Sequence, residues 1–221
     1  MSEQGFGQTI SDQATLRELY GEPSAVVQAK AVDRLDPTTI GFIARSPFVL
    51  VGTHAADGTA DVSPRGGHPG FVKVLDEQRL LLPDLNGNRR IDTLRNIVDQ
   101  PQVGLLFLVP GNGETVRVNG RAVVTVDEAL LSSFDDEFRR PQSAIGVEVD
   151  EVFLHCAKSI RRSGLWNADE WDRTPISPGE ILSAALAGTM DLDPALIDDG
   201  LEAGYAQDLE MDRPVSAEAD R

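Results

Sequence analysis

Three short segments of the chain gather residue types that could do chemistry. The first is GNRR at 87–90, which opens the amphipathic stretch NRRIDTLRNIVDQ. Asn88 is a good N-cap for a helix starting there, because its side-chain oxygen can accept from a free N–H of the first turn. Arg89 and Arg90 then fall in that first turn, where the helix dipole disfavours each cation by about 0.3–1 kcal/mol. An anion resolves the conflict, since free N–H groups, the dipole and two guanidinium groups converge on one phosphate. The competing reading is two solvated arginines paired with nearby acids.

The second segment is DVSPRGG at 61–67. Pro64 cannot donate to a strand ladder, and the glycines leave backbone open to close approach. Arg65 therefore ends a strand whose polar tip suits a ligand lying across a sheet edge. An ordinary strand end before a loop competes with that reading. The third segment is HCAKSIRRSGLW at 155–166, which collects His155, Lys158, Arg161, Arg162 and Trp166 in an acidic chain. Trp166 is either a core anchor or a wall on which an aromatic ring can stack. His54, His68, His155 and Cys156 have no metal-ligand spacing, and His155 and Cys156, adjacent on a strand, point to opposite faces. No metal is expected. Walker-type, G-x-S-x-G and H-E-x-x-H signatures are missing.

The elements that must position these segments are mostly strands. SPFVLVGTHA and ADGTADVSP flank Asp57–Gly58, a strong hairpin signal because such turns need a positive φ. FVKVL and RLLLPD form a second hairpin across residues 76–78. NRRIDTLRNIVDQ is a helix with Ile91, Leu94, Ile97 and Val98 on its apolar face, ended by Pro101. VGLLFLV is a buried strand, and ETVRVNGRAVVTV is a long alternating one with Gly120 at a bulge or bend. DEALLSSF is helical, and AIGVEVDEVFLHC returns to strand. Ahead of the strands, ATLRELYG, AVVQAKAVDRL and TTIGFIARS are short helices. Behind them, ISPGEILSAALAG and PALIDDGLEAGYAQDLEM are two more, and RPVSAEADR frays. Strands in runs, joined by hairpins, indicate a mainly β fold with accessory helices (α+β), a six-stranded antiparallel barrel.

Bulk properties narrow the function. A net charge of −16 over 221 residues excludes general nucleic-acid binding. Half of that charge lies between Asp191 and Arg221, as a solvated acidic tail. The single cysteine, Cys156, excludes an internal disulfide framework and fits the reducing cytoplasm. MSEQGFGQTI has neither the basic nor the apolar region of a leader. No stretch reaches the roughly 18 apolar residues of a membrane span, so no membrane partner is expected.

Taken in order, GTADVSPRG, RLLLPD, GNRRIDTLRNI and TVRVNGRAVV resemble the pyridoxamine 5′-phosphate oxidase-like flavin-binding family. The resemblance runs from Ser46 to Val126 and more weakly through Trp166. It implies a six-stranded split barrel that binds FMN in a groove shared by two subunits of a homodimer. By position, Ser63 falls where the oxidases have a phosphate-binding arginine, and Arg65 is the candidate to restore that contact. Pro64 and Arg65 fall on the strand beside the isoalloxazine ring, and Pro83 and Asp84 match the pair ending the next strand. Asn88, Arg89 and Arg90 match a phosphate motif. Thr115 matches a polar residue that reaches the flavin from the partner subunit, and His155 falls where the oxidases place a tryptophan. The C-terminal arginine-leucine-histidine signature of the vitamin-converting enzymes is missing. The chain thus looks like a subgroup marked by SPRGG and HC-x-K.

The function this implies is an FMN-binding oxidoreductase acting on a small organic substrate, with His155, Arg162 and Trp166 on the substrate side. A non-catalytic flavin carrier or sensor, or a deazaflavin-dependent reductase, is the alternative on the same fold. The expected organisation is a helical lead-in over 1–45, the flavin-binding barrel over 46–172 and a helical extension with an acidic tail over 173–221.

Overall fold

The computed structural model describes residues 5–215. Gly58 adopts φ 88°, and the Ala55 N–H donates to the Thr59 carbonyl at 2.8 Å. That turn closes β1 (Phe48–His54) onto β2 (Ala60–Gly66). The second hairpin pairs β3 (Lys73–Asp76) with β4 (Arg79–Pro83), its turn held by the Asp76 carboxylate accepting from the Gln78 N–H at 2.9 Å. With β5 (Gln102–Leu108), β6 (Thr115–Thr125) and β7 (Ala144–His155), all strands join one antiparallel sheet in the order β2-β1-β5-β6-β7-β4-β3.

The class is the expected one, mainly antiparallel β with accessory helices, but the sheet has seven strands where six were expected. Each strand segment read along the sequence is present, and the shortest is β3, four residues long and paired with β4. It starts at Lys73, just after the buried Phe71 and Val72. At the other edge, β2 carries Pro64, whose missing N–H is tolerated where a strand has one neighbour.

The helices are α1 (Gln13–Tyr20), α2 (Ala25–Ala29), α3 (Pro37–Ile43), α4 (Asp92–Asp99), α5 (Glu128–Leu131), α6 (Lys158–Ser163), α7 (Pro178–Leu186) and α8 (Pro194–Met211). The helix expected through AVVQAKAVDRL stops at Ala29. Strand β4 covers only the first part of β7, up to Glu148. Val32 therefore pairs with Val152, exchanging backbone hydrogen bonds of 3.1 and 2.7 Å. Sheet completion overrides local helix preference there. Residues 216–221, most of the segment expected to fray, lie outside the described residues. Among the described residues no helix is long and apolar enough to cross a membrane.

One continuous core joins the inward residues of the strands (Val49, Val51, Leu105, Phe107, Val118) to Leu35 and Ile43 from the lead-in and Ile97 of α4. The longest ladder, β6 on β7, shifts register between Asn119 and Gly120, the bulge expected at that glycine. A methyl on Gly120 would fall on the Glu148 carbonyl oxygen, deep inside contact distance. Gly104, one strand away, has its nearest neighbour at an ordinary 3.5 Å. Gly120→Ala is therefore expected to cost about 3 kcal/mol by overpacking, and Gly104→Ala under about 1 kcal/mol. Urea midpoints of the two variants, at unchanged m-value, check the difference.

Candidate functional site

The loop between β4 and α4 carries the densest set of candidate residues, and its geometry differs from the expected one. Helix α4 begins at Asp92, not at Arg89. Asn88 does not cap it; its side-chain oxygen accepts from the Arg90 N–H at 3.0 Å, an Asx turn just outside the helix. The N-cap position is Ile91, left-handed at φ 54°, and no side chain caps the helix. Arg89 is also left-handed at φ 60°. The two arginines thus precede the helix, and the dipole conflict expected of a helix starting at Arg89 does not arise. Asp92 occupies the first turn, as the dipole prefers, and accepts from Arg90 Nε at 2.7 Å. Among the described residues the Arg89 side chain has no ion-pair partner.

The face of α4 turned to the sheet is also a correction. Ile97 is buried and Leu94 half-buried, but Ile91 and Val98 are 54% and 74% exposed. In their place Thr93 and Asn96 are buried. The Thr93 hydroxyl donates to Ser63 Oγ at 3.0 Å. The Asn96 amide donates to Thr53 Oγ1 at 3.1 Å and to an Asp61 carboxylate oxygen at 2.7 Å. Polar side chains of β1 and β2 thus select the polar face of the helix, which apolar periodicity alone could not indicate. Thr93 and Asn96 were both missed from sequence on this helix; the signal for Thr93 was a small hydroxyl in the first turn of a helix beginning at Asp92.

Ser63 and Arg65 point to one face of β2, opposite the buried Val51 and Val49 of β1, while Pro64 points away. Arg65 Nη2 lies 4.0 Å from Asp84 Oδ1, just beyond the end of β4 at the buried Pro83. Three contacts, Ser63 with Thr93, Arg65 with Asp84 and Arg90 with Asp92, thereby tie β2 and the segment after β4 to the uncapped start of α4. Burial pushes the Asp84 carboxyl above its ordinary range, and the nearby Arg65 opposes this only in part.

The remaining candidates form a second group. Thr115 and His155 are directly opposed on β6 and β7, and Thr115 is buried within its own chain at 7% exposure. The Trp166 indole is half-buried, not a core anchor, and donates to the Asn112 carbonyl in the β5–β6 loop at 2.6 Å. Arg162, in the last turn of α6, is exposed and joins neither residue. Burial, Arg117 and Lys30 together hold His155 below its ordinary pKa. Lys30 and Arg117 both lie over the Phe153 ring, 4.1 and 4.9 Å from its centroid. Neither was singled out from sequence, although alternation along β6 puts Arg117 on the Thr115 face. In the sheet, strands β1 and β5 lie between β2 and β6.

The family model for pyridoxamine 5′-phosphate oxidase matches residues 35–156. Solved structures similar to this chain include a candidate pyridoxamine 5′-phosphate oxidase from Lactobacillus delbrueckii, at 23% identity and TM-score 0.44, covering 55% of this chain and 95% of that one. HupZ from Group A Streptococcus is similar at 16% identity and TM-score 0.46, covering 54% and 93%. General stress protein 26 from Bacillus anthracis is similar at 16% identity and TM-score 0.38, covering 52% and 88%. No curated protein matches the chain by sequence.

The raised Asp84 carboxyl has a consequence for stability. A folded pKa above the unfolded one means that the folded protein holds the proton more tightly, so the ionised group costs stability above that pKa. Asp84→Asn is expected to raise the melting temperature at pH 7, and the gain should shrink as pH falls through the folded pKa and vanish below about pH 3, where the carboxyl is protonated in the folded and the unfolded chain. Thermal melts of the two proteins across that range check the sign.

Proposed function

The chain belongs to the pyridoxamine 5′-phosphate oxidase family, and on that premise we propose that it is an FMN-dependent oxidoreductase acting on a small organic substrate. One observation carries the choice of ligand. Helix α4 starts without a side-chain cap, beside two arginines and the hydroxyls of Ser63 and Thr93. Free N–H groups at a helix start, with guanidinium groups adjacent, form a phosphate site. Asn88, Arg89 and Arg90 would hold the ribityl phosphate, with Ser63 and Arg65 at its flank. Pro64, Pro83 and Asp84 would border the isoalloxazine ring. The flavin, when bound, supplies the redox chemistry by taking up and returning electron pairs.

The second group completes the groove from another copy of the chain. Thr115 would approach the flavin from the partner, with His155, Arg162 and Trp166 on the substrate side. Burial, Arg117 and Lys30 bias His155 toward its neutral form, which can donate from one ring nitrogen and accept at the other. The exposed valines Val62, Val98, Val123 and Val126 supply apolar surface for a two-fold contact. The barrel between residues 46 and 172 would be the flavin-binding unit, flanked by the helical segments 1–45 and 173–221. The lone exposed thiol of Cys156 suits the reducing cytoplasm.

Replacing Arg89 and Arg90 together with alanine is expected to weaken FMN by about 3 kcal/mol or more, since each charge-assisted hydrogen bond contributes about 1.5–3 kcal/mol. Riboflavin, which lacks the phosphate, should be nearly insensitive. Fluorescence titration with both ligands makes the comparison, and equal losses would assign the arginines another role. A deazaflavin spectrum in the purified protein would replace FMN by that cofactor. The flavin-loaded protein should also scatter light as a dimer at micromolar concentration; a flavin-loaded monomer would defeat the shared groove.

A further inference from the structure

Helix α8 lies outside the family-matched residues 35–156, yet its C-terminal end returns to the loop that precedes α4. Asp208 Oδ1 accepts from the Asn86 side-chain amide at 2.7 Å, and Asp212 Oδ1 accepts from the Asn86 backbone N–H at 3.1 Å. On its other side, the Asp212 carbonyl accepts from the Arg139 N–H at 2.8 Å, which fixes the helix end to the segment after α5. Asn86 is therefore gripped twice by the C-terminal turn of α8.

The backbone immediately after Asn86 gives this grip its importance. Gly87 is in open space, with no atom within 4 Å of where a Cβ would stand. Arg89 and Ile91 are then both left-handed, each at a cost of about 1–3 kcal/mol for a residue with a side chain. Such a conformation persists only where both ends are held. The far end is held by Thr93 on Ser63 and by Asn96 on Thr53 and Asp61. On the near side Leu85 packs on the core, and Asn86 on α8 is the last anchor before the strained residues.

We propose that Asp208 and Asp212 are positioning residues for the phosphate loop, with α8 acting as a latch that holds Gly87–Ile91 in its binding conformation. This rests on the FMN reading for its ligand, but the latch itself is a property of the ligand-free chain. Two carboxylates near a phosphate site oppose the anion by charge. Their placement is accounted for by their hydrogen bonds to Asn86, which outweigh that repulsion by keeping Arg89 and Arg90 aimed.

Charge and position act with opposite signs, so two double variants of the full chain separate them. Asp208→Asn with Asp212→Asn removes both charges but keeps both acceptor oxygens. Asp208→Ala with Asp212→Ala removes charges and acceptors together. The alanine pair is expected to weaken FMN roughly tenfold, with riboflavin unchanged, while the asparagine pair binds FMN as tightly as the parent or more tightly. In the protein without FMN, hydrogen exchange at the Asn86 and Arg90 amides should speed up in the alanine pair only. Equal shifts in the two pairs, in either direction, would overturn the latch, as would unchanged exchange in the alanine pair. If the parent binds no FMN while the alanine pair still frees those amides, the cofactor reading fails and the latch stands.

Discussion

The arrangement of the candidate site depends on one buried polar contact, the Asn96 amide of α4 donating to Thr53 of β1 and Asp61 of β2. Asn96 is 7% exposed, so breaking the contact would leave a carboxylate and a hydroxyl without their partner. A hydrogen bond to a charged group is worth about 1.5–3 kcal/mol, and the orphaned groups would add their own desolvation cost. That is the same order as the strain at each left-handed residue ahead of the helix. The clamp fixes which way α4 rolls, and the roll fixes where its free N–H groups point. The loop from Asn86, held by α8, to that helix start closes the gap with positive φ angles at Arg89 and Ile91.

This contact also explains why some elements were legible in the sequence and others were not. Strands were legible because period-two alternation reports a half-buried surface, and the Asp57–Gly58 turn and the Gly120 bulge follow from backbone geometry that few residues can adopt. The register of α4 was not legible. Ile91, Leu94, Ile97 and Val98 form an apolar stripe, and periodicity assigns that stripe to the core. The surface it meets is polar, so the helix turns Thr93 and Asn96 inward and leaves Ile91 and Val98 exposed. Arg89 and Arg90 were identifiable as an anomaly, although the supposed cause, cations inside a first helical turn, is absent. Lys30 failed to stand out for a different reason: it reaches Phe153 only because Val32 completes the edge of β7.

Tertiary pairing likewise decides which cations remain available. Arg117 is held by Glu151 at 2.7 Å and Arg121 by Glu148 at 3.2 Å, so both basic residues of β6 are engaged within the β6–β7 ladder. Their ion pairs are exposed enough to add little stability, but they cancel positive charge on that strand. The loop before α4 is treated differently. Arg90 gives Nε to Asp92, leaving its two terminal nitrogens for another acceptor, and Arg89 has no ion-pair partner among the described residues.

In a chain with net charge −16, two arginines with free donor groups create a potential opposite to that of the whole. Such a potential survives locally because screening over about 8–10 Å at physiological salt removes most of the distant acidic background. Only nearby carboxylates can cancel it, and several around the start of α4 have partners of their own. Asp61 is engaged by the Asn96 amide at 2.7 Å, and Asp84 faces Arg65 at 4.0 Å. An anion arriving at the start of α4 meets the local field of the loop before it meets the charge of the protein.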